Sequence, residues 1–122
     1  MRLNHLDFPV PDVAATAAFF TSHLGFRLLD MRGRQALAIL QGDDGFVLVL
    51  HRQAQDAAPP PPDWFHIGFL QDSEAAVLDI HARLRAVLPD LPEPARMRGA
   101  LLFYFHAPGG VLVEISHRPR AA

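Results

Sequence analysis

Glu114 stands in the run VLVEISH, a carboxylate set among Val, Leu and Ile near the end of the 122-residue chain. A carboxylate turned toward an apolar interior without a partner costs several kcal/mol, so this residue calls for a cation. Two histidines occupy matched places upstream. His5 precedes Asp12 by seven residues, His66 precedes Ser73 by seven, and Asp12 and Ser73 are both of the type that caps a helix N-terminus. Two imidazoles and one carboxylate from three separate strands make a facial triad suited to Fe(II) or a similar divalent ion. Three protein ligands leave positions for a substrate or dioxygen. Fe2+ or Mn2+ is the preferred ion, with Zn2+ or Ni2+ as alternatives.

Further titratable residues lie within reach. Alternation along strands puts Leu102, Tyr104 and His106 on the face of Glu114, and Val47, Val49 and His51 on the corresponding face of the first half. His106 and His51 are candidate general bases or groups that orient a ligand, since imidazole titrates near working pH. Asp7, two residues after His5, is placed to orient a ligand or touch substrate. His23 and His81 fall on helices and are read as structural, and His117 is given no role. Trp64, Phe65 and Phe69 are expected in the core and the pocket wall.

These placements depend on elements that occur twice. The strand RLNHLDF is followed by PVPD, by the helix VAATAAFFTSHLGF ending at Gly25, and by the β runs FRLLDM, ALAILQ and FVLVLH, the last two joined through GDDG. The strand WFHIGFL is followed by the helix EAAVLDIHARLRAVL after Ser73, and then by ARMR, LLFYFH and VLVEISH, the last two joined through APGG. Gly45 of the first closing hairpin matches Gly110 of the second, which sets Val49 opposite Glu114. The order repeats with weak identity, as an internal structural repeat does. The fold class is therefore α+β, two βαβββ modules forming cupped mixed sheets: module one at 1–52, a Pro-rich linker at 53–63 and module two at 64–118, all within one domain of residues 1–122.

Composition narrows the function classes. Half the residues are apolar, enough for a core. With no cysteine, there is no disulfide framework, thiolate zinc site or cysteine nucleophile. A formal charge of −2 gives no electrostatic reason for a nucleic acid or an anionic membrane as partner. Arg83, Arg85, Arg96 and Arg98 cluster loosely and read as a solvated rim. The opening MRLNHLDFPVPD has no apolar leader, so a cytoplasmic location is expected.

Over residues 2 to 118 the sequence resembles the vicinal oxygen chelate superfamily of glyoxalase I, extradiol dioxygenases, fosfomycin-resistance thiol transferases and bleomycin-resistance proteins. LNHLDFPVPDVAATAAFFTSHLGFRLL looks like the family's opening and FYFHAPGGVLVEI like its closing hairpin. The resemblance puts the metal-ligand places at His5, Val49, His66 and Glu114. Glyoxalase I uses all four, so Val49 argues against its chemistry; the His, His, Glu pattern is shared by extradiol dioxygenases and fosfomycin transferases. Phe103, Tyr104, Ala107, Pro108, Gly110 and Glu114 fit the tail of the extradiol signature, whose initial His has no counterpart around Arg96 and Met97. The matching Tyr in those enzymes hydrogen-bonds the substrate oxygen or handles its proton, which makes Tyr104 a catalytic candidate beside His106 and His51.

The resemblance implies a metal-dependent enzyme acting on a small molecule that chelates the ion through adjacent oxygens, with extradiol-dioxygenase-like ring cleavage as the first expectation. A metal-dependent lyase, isomerase or thiol transferase is the alternative. A non-enzymatic binder of a small or antibiotic molecule is the rival from another class. Short members commonly pair between chains, implying a homodimer in which His5 comes from one subunit and His66 and Glu114 from the other.

Overall fold

The computed structural model describes residues 1–54 and 63–120. Of the linker expected at 53–63, residues 55–62 lie outside the described residues. Contacts group the elements into two compact units. The first holds β1 (His5–Val10), α1 (Val13–His23), β2 (Arg27–Arg32), β3 (Leu37–Gln41) and β4 (Val47–Arg52). The second holds β5 (His66–Leu70), α2 (Glu74–Arg85), β6 (Ala95–Met97), β7 (Ala100–His106) and β8 (Leu112–His117). Each unit is the expected βαβββ, with sheet orders β1-β4-β3-β2 and β5-β8-β7-β6.

In each sheet the first strand runs parallel to the last, and the other pairs are antiparallel. The chain must cross over between parallel neighbours, and a helix makes that crossing. β1 is an edge strand, so Pro9 sits within it without removing a central ladder bond. Along β1, Phe8 and Val10 are buried while His5, Asp7 and Pro9 are exposed, the alternation the strand period demands.

The buried face of the first sheet, with Ala38, Leu40, Leu48 and Leu50, packs beneath Val13, Ala17, Phe19 and Phe20 of α1. Asp12 caps α1, its side chain accepting from the Ala15 N–H at 2.9 Å, and Gly25 follows with φ +73°, the left-handed position that ends many helices. The second core sets Val77, His81 and Leu84 of α2 over Phe103, Phe105, Val113 and Ile115. Ser73 caps α2 by accepting from Ala76 at 3.1 Å. The helix stops at Arg85, short of the periodic pattern to Leu88, because Pro89 disfavours helical backbone in the residue before it.

One expectation, on the aromatic residues before β5, is corrected. Trp64 is 75 % exposed and Phe65 40 % exposed, so neither is a core residue. Both precede β5, in the approach to the strand rather than within it. By its contacts the Ala107–Gly110 turn groups with the first unit. There the buried Thr16 hydroxyl lies 3.0 Å from the Pro108 carbonyl, and Gly109 at φ +92° lies so close that an added Cβ would meet Thr16 Oγ1 at 2.9 Å. The basic residues do form a solvated rim, with Arg96 bidentate on Glu74 at 2.6 and 2.9 Å and Arg85 on Glu93 at 2.5 Å.

Candidate metal and substrate site

The face of the second sheet turned away from α2 carries the site. Parallel pairing of β5 with β8 sets His66 beside Leu112 and Gly68 beside Glu114, and antiparallel pairing of β7 with β8 sets Tyr104 opposite Glu114. Val113 and Ile115 point into the core, which turns Glu114 to the other face. Its polar setting there answers the question its sequence raises. Tyr104 donates its hydroxyl to Glu114 Oε2 at 2.6 Å, and His66 Nε2 lies 3.2 Å from the same oxygen. The His66 and Tyr104 rings meet edge to face at 5.3 Å.

His66 is oriented from behind. Its Nδ1 lies 2.8 Å from the Trp64 carbonyl, which can only accept, so Nδ1 carries a proton and Nε2 is the free atom. A neutral ring would then aim a lone pair at the Glu114 carboxylate. The two groups thus present an imidazole nitrogen and a carboxylate oxygen to one point, donor types that divalent metal ions accept. Burial pushes the Glu114 carboxyl up, but the hydroxyls of Tyr104 and Ser116 and the charge and hydrogen bond of His66 outweigh it and leave it below the usual carboxylate range. The hydrogen bond to Glu114, burial and the carboxylate charge raise the Tyr104 phenol above its ordinary value, with Arg98 opposing them.

The remaining predicted residues fall as follows. His5 lies on β1 of the first unit, its Nδ1 at 2.7 Å from Asn4 Oδ1, so it too presents Nε2 when Nδ1 donates. Among the described residues no three His, Asp or Glu side chains form one group able to hold a metal; the donors brought together are His66 and Glu114. Val49 takes in the first unit the place of Glu114 in the second, and Asp7 takes the place of Gly68. His51 pairs with Asp7 through Nδ1, two residues beyond Val49 along β4. His106 ends β7 opposite Leu112 and is exposed.

Sequence reasoning missed the Trp64 carbonyl, the Asp7–His51 pair and the Ser116 contribution. The pair was readable in principle, because Asp7 and His51 both alternate onto the open face; its closure needs the parallel register of β1 on β4. His81 is structural, as expected: it is buried, bonded through Nε2 to the Pro92 carbonyl at 2.9 Å and set edge to face on Phe103.

Residues 2–115 match the profile of the Glyoxalase/Bleomycin resistance protein/Dioxygenase superfamily. The chain belongs to this superfamily. A solved structure of a possible glyoxalase from Bacillus cereus is 34% identical, with a TM-score of 0.78 over 94% of this chain and 97% of that one. A lactoylglutathione lyase from Agrobacterium tumefaciens is 19% identical with a TM-score of 0.76 over 95% and 92%, a likeness of fold. The uncharacterised protein PA2024 of Pseudomonas aeruginosa is 32% identical over 89 residues, 69% of this chain, and the match spans 64% of that protein's length. Superfamily membership accounts for the repeated βαβββ unit, and no helix among the described residues is long and apolar enough to cross a membrane.

Proposed function

We propose that this chain is a metal-dependent enzyme whose substrate chelates the ion through two adjacent oxygens, with extradiol-dioxygenase-like chemistry as the leading reaction. The observation that carries the reading is the His66 Nε2 to Glu114 Oε2 contact, closed by the Tyr104 hydroxyl on the same oxygen. His66 and Glu114, with His5, are the residues that would hold a divalent ion, Fe2+ or Mn2+ before Zn2+ or Ni2+. Bound there, the ion would supply Lewis acidity to a chelated substrate oxygen.

The chain's own groups do the rest. Tyr104, protonated across the neutral range, would turn its one hydroxyl hydrogen from Glu114 Oε2 to a substrate oxygen bound beside it and stabilise charge developing there. His51, with its Nδ1 held by Asp7, and His106 are the candidate bases. Trp64 keeps Nε2 of His66 turned toward Glu114. The site is taken to be completed in a homodimer, His5 coming from one subunit and His66 and Glu114 from the other. Cytoplasmic location and a small-molecule substrate belong to the same proposal.

A metal-dependent lyase or isomerase is the second reading, favoured by the 34% identity to a possible glyoxalase. Val49 weighs against it, because an apolar side chain stands at the fourth ligand place of four-ligand members. The test is metal content of untagged protein prepared anaerobically, followed by oxygen uptake with catechol. One ion per chain and oxygen consumption are expected; a chain that refuses Fe(II), Mn(II), Zn(II) and Ni(II) is a small-molecule binder instead.

A further inference from the structure

A second feature opens beside the Glu114 site, within the same unit. The segment after α2, residues 88–92 (LPDLP), faces the end of β7 and the start of β8 across a groove of about 480 Å3. Its lining is mostly apolar, with Leu88, Pro89, Leu91, Pro92, Phe105 and Leu112, and Asp90 and His106 are polar members of it. Tyr104 also lines it, so one residue joins this groove to the carboxylate its hydroxyl bonds.

The loop wall is held in place rather than draped. Leu91 is buried and its N–H bonds the Leu88 carbonyl at 3.1 Å, His81 donates to the Pro92 carbonyl at 2.9 Å, and Arg85 holds Glu93 at 2.5 Å. Two prolines fix φ at two of its five positions. A mostly apolar groove of this size, with its wall already held, takes a ring-sized group without first ordering that wall.

We infer that the groove receives an apolar substituent of the substrate, so that the preferred substrate is a vicinal-oxygen compound carrying a branched or ring-sized hydrocarbon group. The inference rests on the function proposed above for the oxygen-binding end. The oxygens chelate the ion that Glu114 would help hold, next to Tyr104, and the hydrocarbon passes the Tyr104 ring into the space between Leu88 and Leu112. His81, buried on α2, keeps its structural role there, since its bond to the Pro92 carbonyl holds the groove wall.

The experiment compares catechol with 4-tert-butylcatechol on the Fe(II)-loaded chain without oxygen, by calorimetric titration, in wild type and Leu88→Trp. Each buried methylene is worth a factor of about four in affinity, so 4-tert-butylcatechol should bind at least about tenfold tighter, and Leu88→Trp should remove most of that ratio. Equal affinity of the two catechols for wild type, or a ratio untouched by Leu88→Trp, overturns the groove assignment and leaves the proposed function standing. If neither catechol binds, that function fails, and the groove is then judged on the metal-free chain with 4-tert-butylphenol, which has one oxygen and cannot chelate. Methyl NMR shifts at Leu88, Leu91 and Leu112 would support the groove; their absence would end it.

Discussion

Tyr104 and Glu114 share a hydrogen bond of 2.6 Å across the β7–β8 ladder, and the oxygen that accepts it is the one His66 approaches. Carboxylate, phenol and imidazole therefore form one electrostatic unit, in which changing any member alters the other two.

The phenol offers a direct reading of that unit, because Tyr104 is the single tyrosine of the chain. Its phenolate absorbance should rise at a midpoint above the ordinary value near 10. Glu114→Gln removes the accepting charge and should bring that midpoint down. A midpoint unmoved by Glu114→Gln would show that the bond is not held in solution.

Acid should reveal the Glu114 contribution. Its folded pKa lies below the unfolded value, so the stability it contributes is present above the unfolded carboxylate pKa near 4.3 and is lost as pH falls through the folded value. The advantage of wild type over Glu114→Gln in urea midpoint should thus be full at neutral pH and shrink progressively as pH falls below the unfolded carboxylate value. The opposite trend would mean the carboxyl is raised rather than lowered.

Metal content separates the ligands. His66→Ala and Glu114→Ala should each lower bound metal by at least about tenfold, as loss of a ligand or its orienting partner does. His5→Ala should do the same. Retention of full metal by Glu114→Ala would remove the carboxylate from the assignment.

Sharing of the site between subunits has its own test. Neither His5→Ala nor Glu114→Ala alone should be active, but dissociated and re-formed together in equal amounts they should recover about a quarter of wild-type sites, since half of random dimers are mixed and each has one intact site. No recovery, in a mixture shown to exchange subunits, would place all ligands of a site on one chain.

Stability of the first unit hangs partly on the turn after β7. Gly109→Ala puts a Cβ at 2.9 Å from Thr16 Oγ1 and at positive φ, so it should cost more than about 1 kcal/mol. Asp12→Ala, which removes the cap of α1, should cost about 1 kcal/mol. Both are read from urea midpoints, and a Gly109→Ala protein as stable as wild type would show that the turn moves freely.

Much of this protein is local in origin and so is present in the amino-acid order. Period-two alternation in HLDFPV and LVEISH chose the faces of His5 and Glu114, Asp12 and Ser73 placed the helix starts, and the matched seven-residue spacing exposed the repeat. Those signals depend on backbone geometry and neighbouring residues alone. Strand pairing joins residues far apart in sequence, so its products appear only in the folded chain. The parallel register of β5 on β8 brings His66 to Glu114, that of β1 on β4 brings Asp7 to His51, and the packing of residues 88–92 beside β7 opens the apolar groove. Trp64 shows the same division from the other side: its hydrophobic type suggested burial, yet its side chain is exposed and it is the backbone carbonyl that serves, holding the His66 ring in place.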